Sequence, residues 1–230
     1  MTAPRAILLD ALGTLLELDD PVGGLQRELA ARGAPVDEAA ARGALGAEMA
    51  YYRAHCDRAA DVPALEELRD RCADVLRRAL PPPAAELGHG EVRAALLAAL
   101  RFRPFPEVPA VLGALRDAGS RLVIVSNWDV SLHGVLRDTG LESRVDAVVT
   151  SAQCGVAKPG PAIFRIALER AGGVAPQAAL HVGDDPRTDI AGAVAAGIPA
   201  VLVDRDGSRE APAQATRVIS TLAGLLPSSR

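Results

Sequence analysis

The sequence predicts an α/β protein: a parallel sheet with helices on both faces and an all-helical domain inserted after the first strand. Three observations lead there. Short apolar runs recur along the chain, the stretches between them carry helical patterns that close on glycine, and the first interval is far too long for one crossover.

The elements follow in order. Residues 5–10, Arg-Ala-Ile-Leu-Leu-Asp, form a short apolar run that ends in an acid. Such a run fits a strand buried on both faces of a parallel sheet. Similar runs lie at 121–126, 145–150, 179–183 and 199–203. Helical patterns fill 108–118, 130–139, 161–171 and 188–196, followed by Gly119, Gly140, Gly172 and Gly197. Proline at the first turn of the third, and glycine just past each end, are the expected helix punctuation. Strand alternating with helix builds a parallel sheet covered on both faces, a Rossmann-like core.

The first interval breaks this rhythm. A complete crossover unit takes about 30 residues, yet the first run ends at Asp10 and the second begins at Arg121. Residues 17–102 are therefore expected to form an inserted helical cap, leaving 1–16 and 103–230 as the core. Within the insertion Leu65, Leu68, Cys72, Val75 and Leu76 recur at helical spacing, as do Met49, Tyr52 and Cys56. Pro81-Pro82-Pro83 separates two helical stretches, and Arg103-Pro104-Phe105-Pro106 makes a stiff return linker.

Composition narrows the function classes. A chain of 230 residues has room for one domain with a smaller one inserted. Aromatic residues are only 3% of it, so the core must be aliphatic. The net charge of −4, with no basic patch, argues against a nucleic-acid partner. No apolar run approaches the ~20 residues that span a bilayer, and Asp10 interrupts any signal-peptide pattern. Cys56, Cys72 and Cys154 are widely spaced and odd in number, which reads as free thiols in a reducing cytoplasm. Lys158 is the only lysine in an arginine-rich chain. A compact ammonium retained once suggests a site that a planar guanidinium does not fit.

Four polar segments sit at or just beyond the expected C-terminal ends of strands, the edge where open α/β sheets bind ligands. They are Asp10-Ala11-Leu12-Gly13-Thr14-Leu15, Ser126-Asn127, Lys158-Pro159, and Gly183-Asp184-Asp185-Pro186-Arg187-Thr188-Asp189. An acid ending one strand is commonly a helix cap. Four such segments in this order are hard to explain as structure alone.

In these segments the chain resembles the haloacid dehalogenase superfamily, in the group that carries its cap after the first motif. The resemblance implies a hydrolase acting on a small, phosphorylated molecule, with Asp10 as the nucleophile that forms a covalent intermediate. It implies Mg²⁺ held by Asp10, Asp184 and the backbone carbonyl of Leu12. Asp189 is expected as a further ligand or as support, with Asp185 the alternative. Ser126 and Asn127 would donate to the transferred group, Lys158 would neutralise charge on Asp10 and substrate, and Thr14 would brace the nucleophile loop. The oligomeric state is left open.

One position departs from the phosphatase pattern. Those enzymes carry a second aspartate two residues after the nucleophile, as general acid and base, where this chain has Leu12. Three readings follow. In a phosphatase, the favoured reading, the proton would come from the cap, where Glu48, Tyr51, Tyr52 and His55 lie close together, or the leaving group would need none. In a 2-haloacid dehalogenase Leu12 would be harmless, because halide leaves unprotonated, and Arg42 could hold a carboxylate or halide. In a low-turnover binding protein the fold and metal site alone would be kept. The acidic fourth segment favours the metal and with it phosphoryl chemistry, since uncompensated carboxylates would repel one another. Trp128 is expected at the pocket mouth or in the packing. His89, His133 and His181 are isolated, and His181 is expected as a hydrogen-bonded core residue.

Overall fold

The first apolar run forms β1 (Ala6–Leu9), with all four side chains buried. The computed structural model describes residues 4–208 and 212–226. After β1 a short strand, β2 (Leu16–Leu18), leads into four helices: α1 (Pro21–Ala31), α2 (Glu38–His55), α3 (Val62–Ala79) and α4 (His89–Ala99). The chain returns through β3 (Phe102–Pro104), which pairs with β2 as a two-stranded ribbon. Then come α5 (Val108–Asp117), β4 (Arg121–Ser126), α6 (Leu132–Asp138), β5 (Ala147–Thr150), α7 (Ser151–Cys154) and α8 (Pro161–Arg170). The last elements are β6 (Ala179–Gly183), a wide helical turn at Pro186–Ile190, α9 (Ala191–Ala195), β7 (Ala200–Val203) and β8 (Arg217–Ile219).

The chain divides into two compact units. One runs up to Glu17 and resumes at Pro104; the other is Leu18–Arg103. The first is an α/β layered unit built on one six-stranded sheet of order β5-β4-β1-β6-β7-β8. Every pairing in it is parallel. β1 has a partner on each side, with Leu9 opposite Ile124 of β4 and Val182 of β6. That central place explains its composition, because a strand covered on both faces gains from apolar side chains at every position. Leu8, Val123, Val125, Val149, Ile163, Phe164 and Leu202 pack into one buried cluster on a face of the sheet. Burying each large aliphatic side chain contributes about 1.5–3 kcal/mol, so the strand ends are anchored on a stiff platform.

Aspartates cap the starts of α1, α2 and α3 in the second unit, whereas α4 starts after Gly88. Asp37 accepts from the Ala40 amide at 2.7 Å to open α2, and Asp61 accepts from Ala64 at 2.9 Å to open α3. α2 and α3 pack on Ala41, Ala44, Leu45 and Glu48 of one and Leu65, Leu68, Cys72, Ala73 and Leu76 of the other as their buried residues.

Three expectations need adjusting. The helix expected over 188–196 divides into the wide turn and the short α9, because Asp185 accepts from the amides of Arg187 and Thr188 and starts the turn earlier. α6 begins at Leu132, not at residue 130, since Asp129 accepts from the Ser131 amide at 2.6 Å and holds a turn there. A sixth strand, β8, adds to the sheet edge where no strand was expected. Arg217 and Val218 are exposed and only Ile219 is buried, so the strand buries one apolar side chain.

Candidate active site

Asp10 is the residue after β1, and its amide donates to the Val182 carbonyl of β6 at 3.0 Å. The parallel register that fixes β1 between β4 and β6 therefore fixes the nucleophile candidate too. The residue is 6% exposed, and its carboxylate accepts from Ser126 Oγ at 3.1 Å, at the end of β4. Gly13 follows with φ 85°, and a Cβ there would lie 2.5 Å from Asp184 Oδ2. Only glycine combines that backbone with such a close neighbour. Asp184 stands one residue past β6 and is half-buried.

Lys158, in the loop between α7 and α8, reaches the same place. Its Nζ lies 2.6 Å from Asp10 Oδ1 and 2.6 Å from Asp189 Oδ1. Asn127 holds the Lys158 backbone from both sides: Nδ2 donates to its carbonyl at 2.9 Å and Oδ1 accepts from its amide at 2.8 Å. Asn127 thus ties the lysine loop to the end of β4. Asp189, on the wide turn, accepts from Lys158, from His181 Nε2 at 2.9 Å and from the Asp185 amide at 3.0 Å. Gly183 leaves room for it, since a Cβ there would fall 2.2 Å from Asp189 Cγ.

The electrostatics separate the two carboxylates that share this ammonium. Burial pushes the Asp10 carboxyl above the ordinary aspartate value; Lys158 opposes that, and the charge of Asp189 adds to it. Burial acts on Asp189 as well, but Lys158 and His181 outweigh it and hold that carboxyl far below the usual range. Asp189 has more donors around it, so it keeps its charge more firmly. For Lys158 burial works against the charge, and the two aspartates overcome it and raise the ammonium well above the lysine norm.

Asp10, Asp184 and Asp189 offer carboxylate oxygens within 4.8 Å of one another. When all three are ionised, these acids outnumber the single ammonium by two charges. Hard oxygen donors with that excess fit a small divalent cation, which would also favour ionised Asp10. A cavity of about 130 Å³ adjoins the cluster, lined by Gly13, Phe105, Asp184, Val203, Arg205 and Asp206.

Thr14 is fully buried, and its hydroxyl has no hydrogen-bond partner among the described residues, so the expected brace does not come from that oxygen. The loop is held instead by Arg205, whose Nη2 donates to the Thr14 carbonyl at 2.6 Å. Leu12 is half-buried and bridges to Leu16. The Asp185 carboxylate is occupied as a cap, while its amide donates to Asp189. Trp128 is 5% exposed, with Nε1 donating to Ser131 Oγ at 3.3 Å, which is a packed position. His181 is fully buried in β6 against Phe164.

In the second unit, Arg42 is exposed and paired with Glu38 one turn earlier. Tyr51 and His55 stack with ring centroids 4.0 Å apart, and His55 Nδ1 lies 2.7 Å from the Tyr51 carbonyl. Glu48 is buried against α3, bonded to Cys72, with Oε2 unpartnered among the described residues; burial pushes its pKa up. Arg205 and Glu107 were not among the residues singled out from sequence. An arginine in an arginine-rich chain carries no signal of its own, and only the fold brings it to the nucleophile loop.

The family model for haloacid dehalogenase-like hydrolases matches residues 4–197. The chain belongs to that family. Among haloacid dehalogenase-like relatives, the phosphoserine phosphatase of Thermus thermophilus is 35% identical over 185 residues, 77% of this chain and 71% of that one. Haloacetate dehalogenase H-2 of Moraxella sp. is 34% identical over 109 residues, covering 47% of this chain and 48% of its own. The fold is shared with a solved L-2-haloacid dehalogenase at a TM-score of 0.73 and 23% identity, with 97% of each chain covered. This haloacid dehalogenase-like hydrolase thus has relatives named for phosphoryl and for carbon–halogen chemistry.

Proposed function

We propose that the protein is a Mg²⁺-dependent phosphatase that hydrolyses a small phosphorylated metabolite through an aspartyl intermediate on Asp10. The cluster of Asp10, Asp184 and Asp189 around one buried ammonium carries this reading. A halide-displacing site gains nothing from two further carboxylates beside its nucleophile, whereas a metal-assisted phosphoryl site needs them. The Thermus relative is named as a phosphatase over most of both chains.

In this reading Asp10, Asp184 and the carbonyl of Leu12 would hold the metal, and Asp189 supports the site through Lys158 and the Asp185 amide. Bound Mg²⁺ would offset the repulsion between the Asp10 carboxylate and the phosphate and polarise the phosphoryl oxygens. A carboxylate oxygen of Asp10 attacks phosphorus, the bond from phosphorus to the leaving oxygen breaks, and that oxygen departs with the electron pair. Water then attacks the phosphoaspartyl phosphorus, the acyl phosphate P–O bond breaks, and inorganic phosphate and Asp10 are released. Lys158 compensates charge on Asp10 and on the transferred group, Ser126 orients Asp10, and Asn127 keeps Lys158 in place. Residues 17–102 serve as the helical cap, and the enzyme works in the cytoplasm.

One observation favours a second reading, 2-haloacid dehalogenation: Leu12 stands where a phosphatase of this family would carry its acid and base. The test is a panel of p-nitrophenyl phosphate, acetyl phosphate, common phosphometabolites and 2-chloropropionate, each with and without Mg²⁺. Phosphate release that requires the metal and vanishes in Asp184→Asn is expected. Chloride release without metal would replace this reading with the second.

A further inference from the structure

Gly13 poses a physical problem that the loop's own backbone solves only on one side. It must be glycine, because its left-handed backbone and the nearness of Asp184 exclude a Cβ. Glycine is also the residue with the greatest backbone freedom. Yet the peptide before it carries the Leu12 carbonyl, which the proposed function assigns to the metal. Something has to fix both peptides that flank Gly13. The Gly13 amide donates to the Leu16 carbonyl at 2.8 Å, which sets the preceding peptide.

Arg205, just beyond β7, sets the following one. Its Nε donates to the Gly13 carbonyl at 3.1 Å and its Nη2 to the Thr14 carbonyl at 2.6 Å. The third arm of the fork, Nη1, meets Glu107 Oε1 at 2.9 Å, and the guanidinium carbon lies 3.3 Å from the centre of the Phe105 ring. Glu107 is fixed in turn, accepting from the Leu222 amide at 3.3 Å. One planar cation is thereby held in orientation by an acid and an aromatic face while it grips two successive carbonyls. A lysine has its three donors on one nitrogen, whereas the rigid fork spreads donors along its edges and reaches all three partners in one orientation.

We infer that Arg205 is a positioning residue for the nucleophile loop: by pinning the Gly13 and Thr14 carbonyls it fixes the peptides after Gly13, completing what the Gly13 amide bond to Leu16 begins, so that the Leu12 carbonyl, Asp10 and Asp184 stay in register. The inference rests on the Mg²⁺-dependent reading above. It assigns Arg205 no contact with substrate.

The test compares the parent with Arg205→Met, Arg205→Lys and Glu107→Gln in Mg²⁺ titration calorimetry and in steady-state hydrolysis of p-nitrophenyl phosphate. Supports beyond a metal's direct ligands typically cost about 10- to 100-fold in metal affinity or activity when removed. Arg205→Met should lose Mg²⁺ affinity and kcat on that scale, with KM changed much less. Arg205→Lys and Glu107→Gln should fall between it and the parent in both quantities. Parental Mg²⁺ affinity and kcat in folded Arg205→Met, or in Arg205→Lys, would overturn the inference while leaving the phosphatase reading intact. If Arg205→Met does not fold, Glu107→Gln decides, and parental values in it count against the inference. A parent that binds no Mg²⁺ by calorimetry would overturn both.

Discussion

Lys158 Nζ lies 2.6 Å from Asp10 Oδ1, with both side chains almost wholly buried, and Asp189 lies equally close on the other side. The ammonium is the counter-charge for two buried carboxylates and is enclosed by them. Lys158→Met leaves those carboxylates without it, and breaking a buried ion pair from one side costs about 3–5 kcal/mol. Lys158→Arg keeps the charge but needs room for a larger planar group. Turnover should fall on the order of 10²–10³-fold in both variants, the scale of losing one fixed donor at developing charge. Urea unfolding should show the large stability loss in Lys158→Met. Near-parental kcat in Lys158→Arg would mean that charge alone matters there.

Gly183 and Asp189 are related by space. The absent Cβ of Gly183 is what lets the Asp189 carboxylate stand against the strand end and reach Lys158. Gly183→Ala forces either the strand or the carboxylate to move, and overpacking of this kind costs about 1–3 kcal/mol. The variant should unfold at lower urea and lose turnover together, because the displaced group is the one that holds the ammonium. A loss of stability with unchanged kcat would separate Asp189 from the chemistry.

The core was legible because its signals are local. Ile7, Leu8 and Leu9 announce a two-face-buried strand, and β4, β6 and β7 read the same way. Asp10, Ser126, Lys158 and Asp184 were legible because each abuts a strand end or a helix start whose pattern marks it. What escaped depends on long-range geometry. β8 buries a single apolar side chain and has no pattern to read. Arg205 gains its meaning only from carbonyls more than 190 positions away, at separations of 191 and 192 residues. Glu48 looked like a helix-face acid among Tyr51 and His55, and packing against Cys72 turned it inward.

That burial makes Glu48 a stability element with a definite pH sign. Its folded-state pKa is raised above the ordinary value of about 4.3. The folded protein therefore holds this proton more tightly than the unfolded chain. Stability from this group is fully present below the unfolded value and is lost as pH rises through the folded one. Glu48→Gln removes the charge and keeps a similar shape. It should leave stability near pH 4 almost unchanged and raise it relative to the parent at pH 7–8. Urea midpoints for both proteins across that range give the comparison. A difference that does not grow with pH would show that Glu48 ionises as freely folded as unfolded.

The last prediction turns on Leu12. General acid–base help is worth about 10²–10⁴-fold, and Leu12 can supply none. The leaving oxygen in the proposed reaction must then depart largely unprotonated. Aryl and acyl phosphates, whose leaving groups are stable anions, should be cleaved far faster than alkyl phosphates. The slope of log kcat/KM against leaving-group pKa should be steep and negative. Leu12→Asp puts a carboxyl two residues after the nucleophile and should flatten that slope by accelerating the poor leaving groups most. The gain is bounded by the environment, because Leu12 is half-buried and bridged to Leu16, and a carboxylate there carries a desolvation cost. Asp10→Asn should abolish turnover in either background, since the attacking carboxylate is gone. If the parent slope is flat with chemistry rate-limiting, another group delivers the proton. Tyr51 and His55 are then the residues to replace first, since Glu48 is buried against Cys72 and its carboxyl is committed to the helix packing.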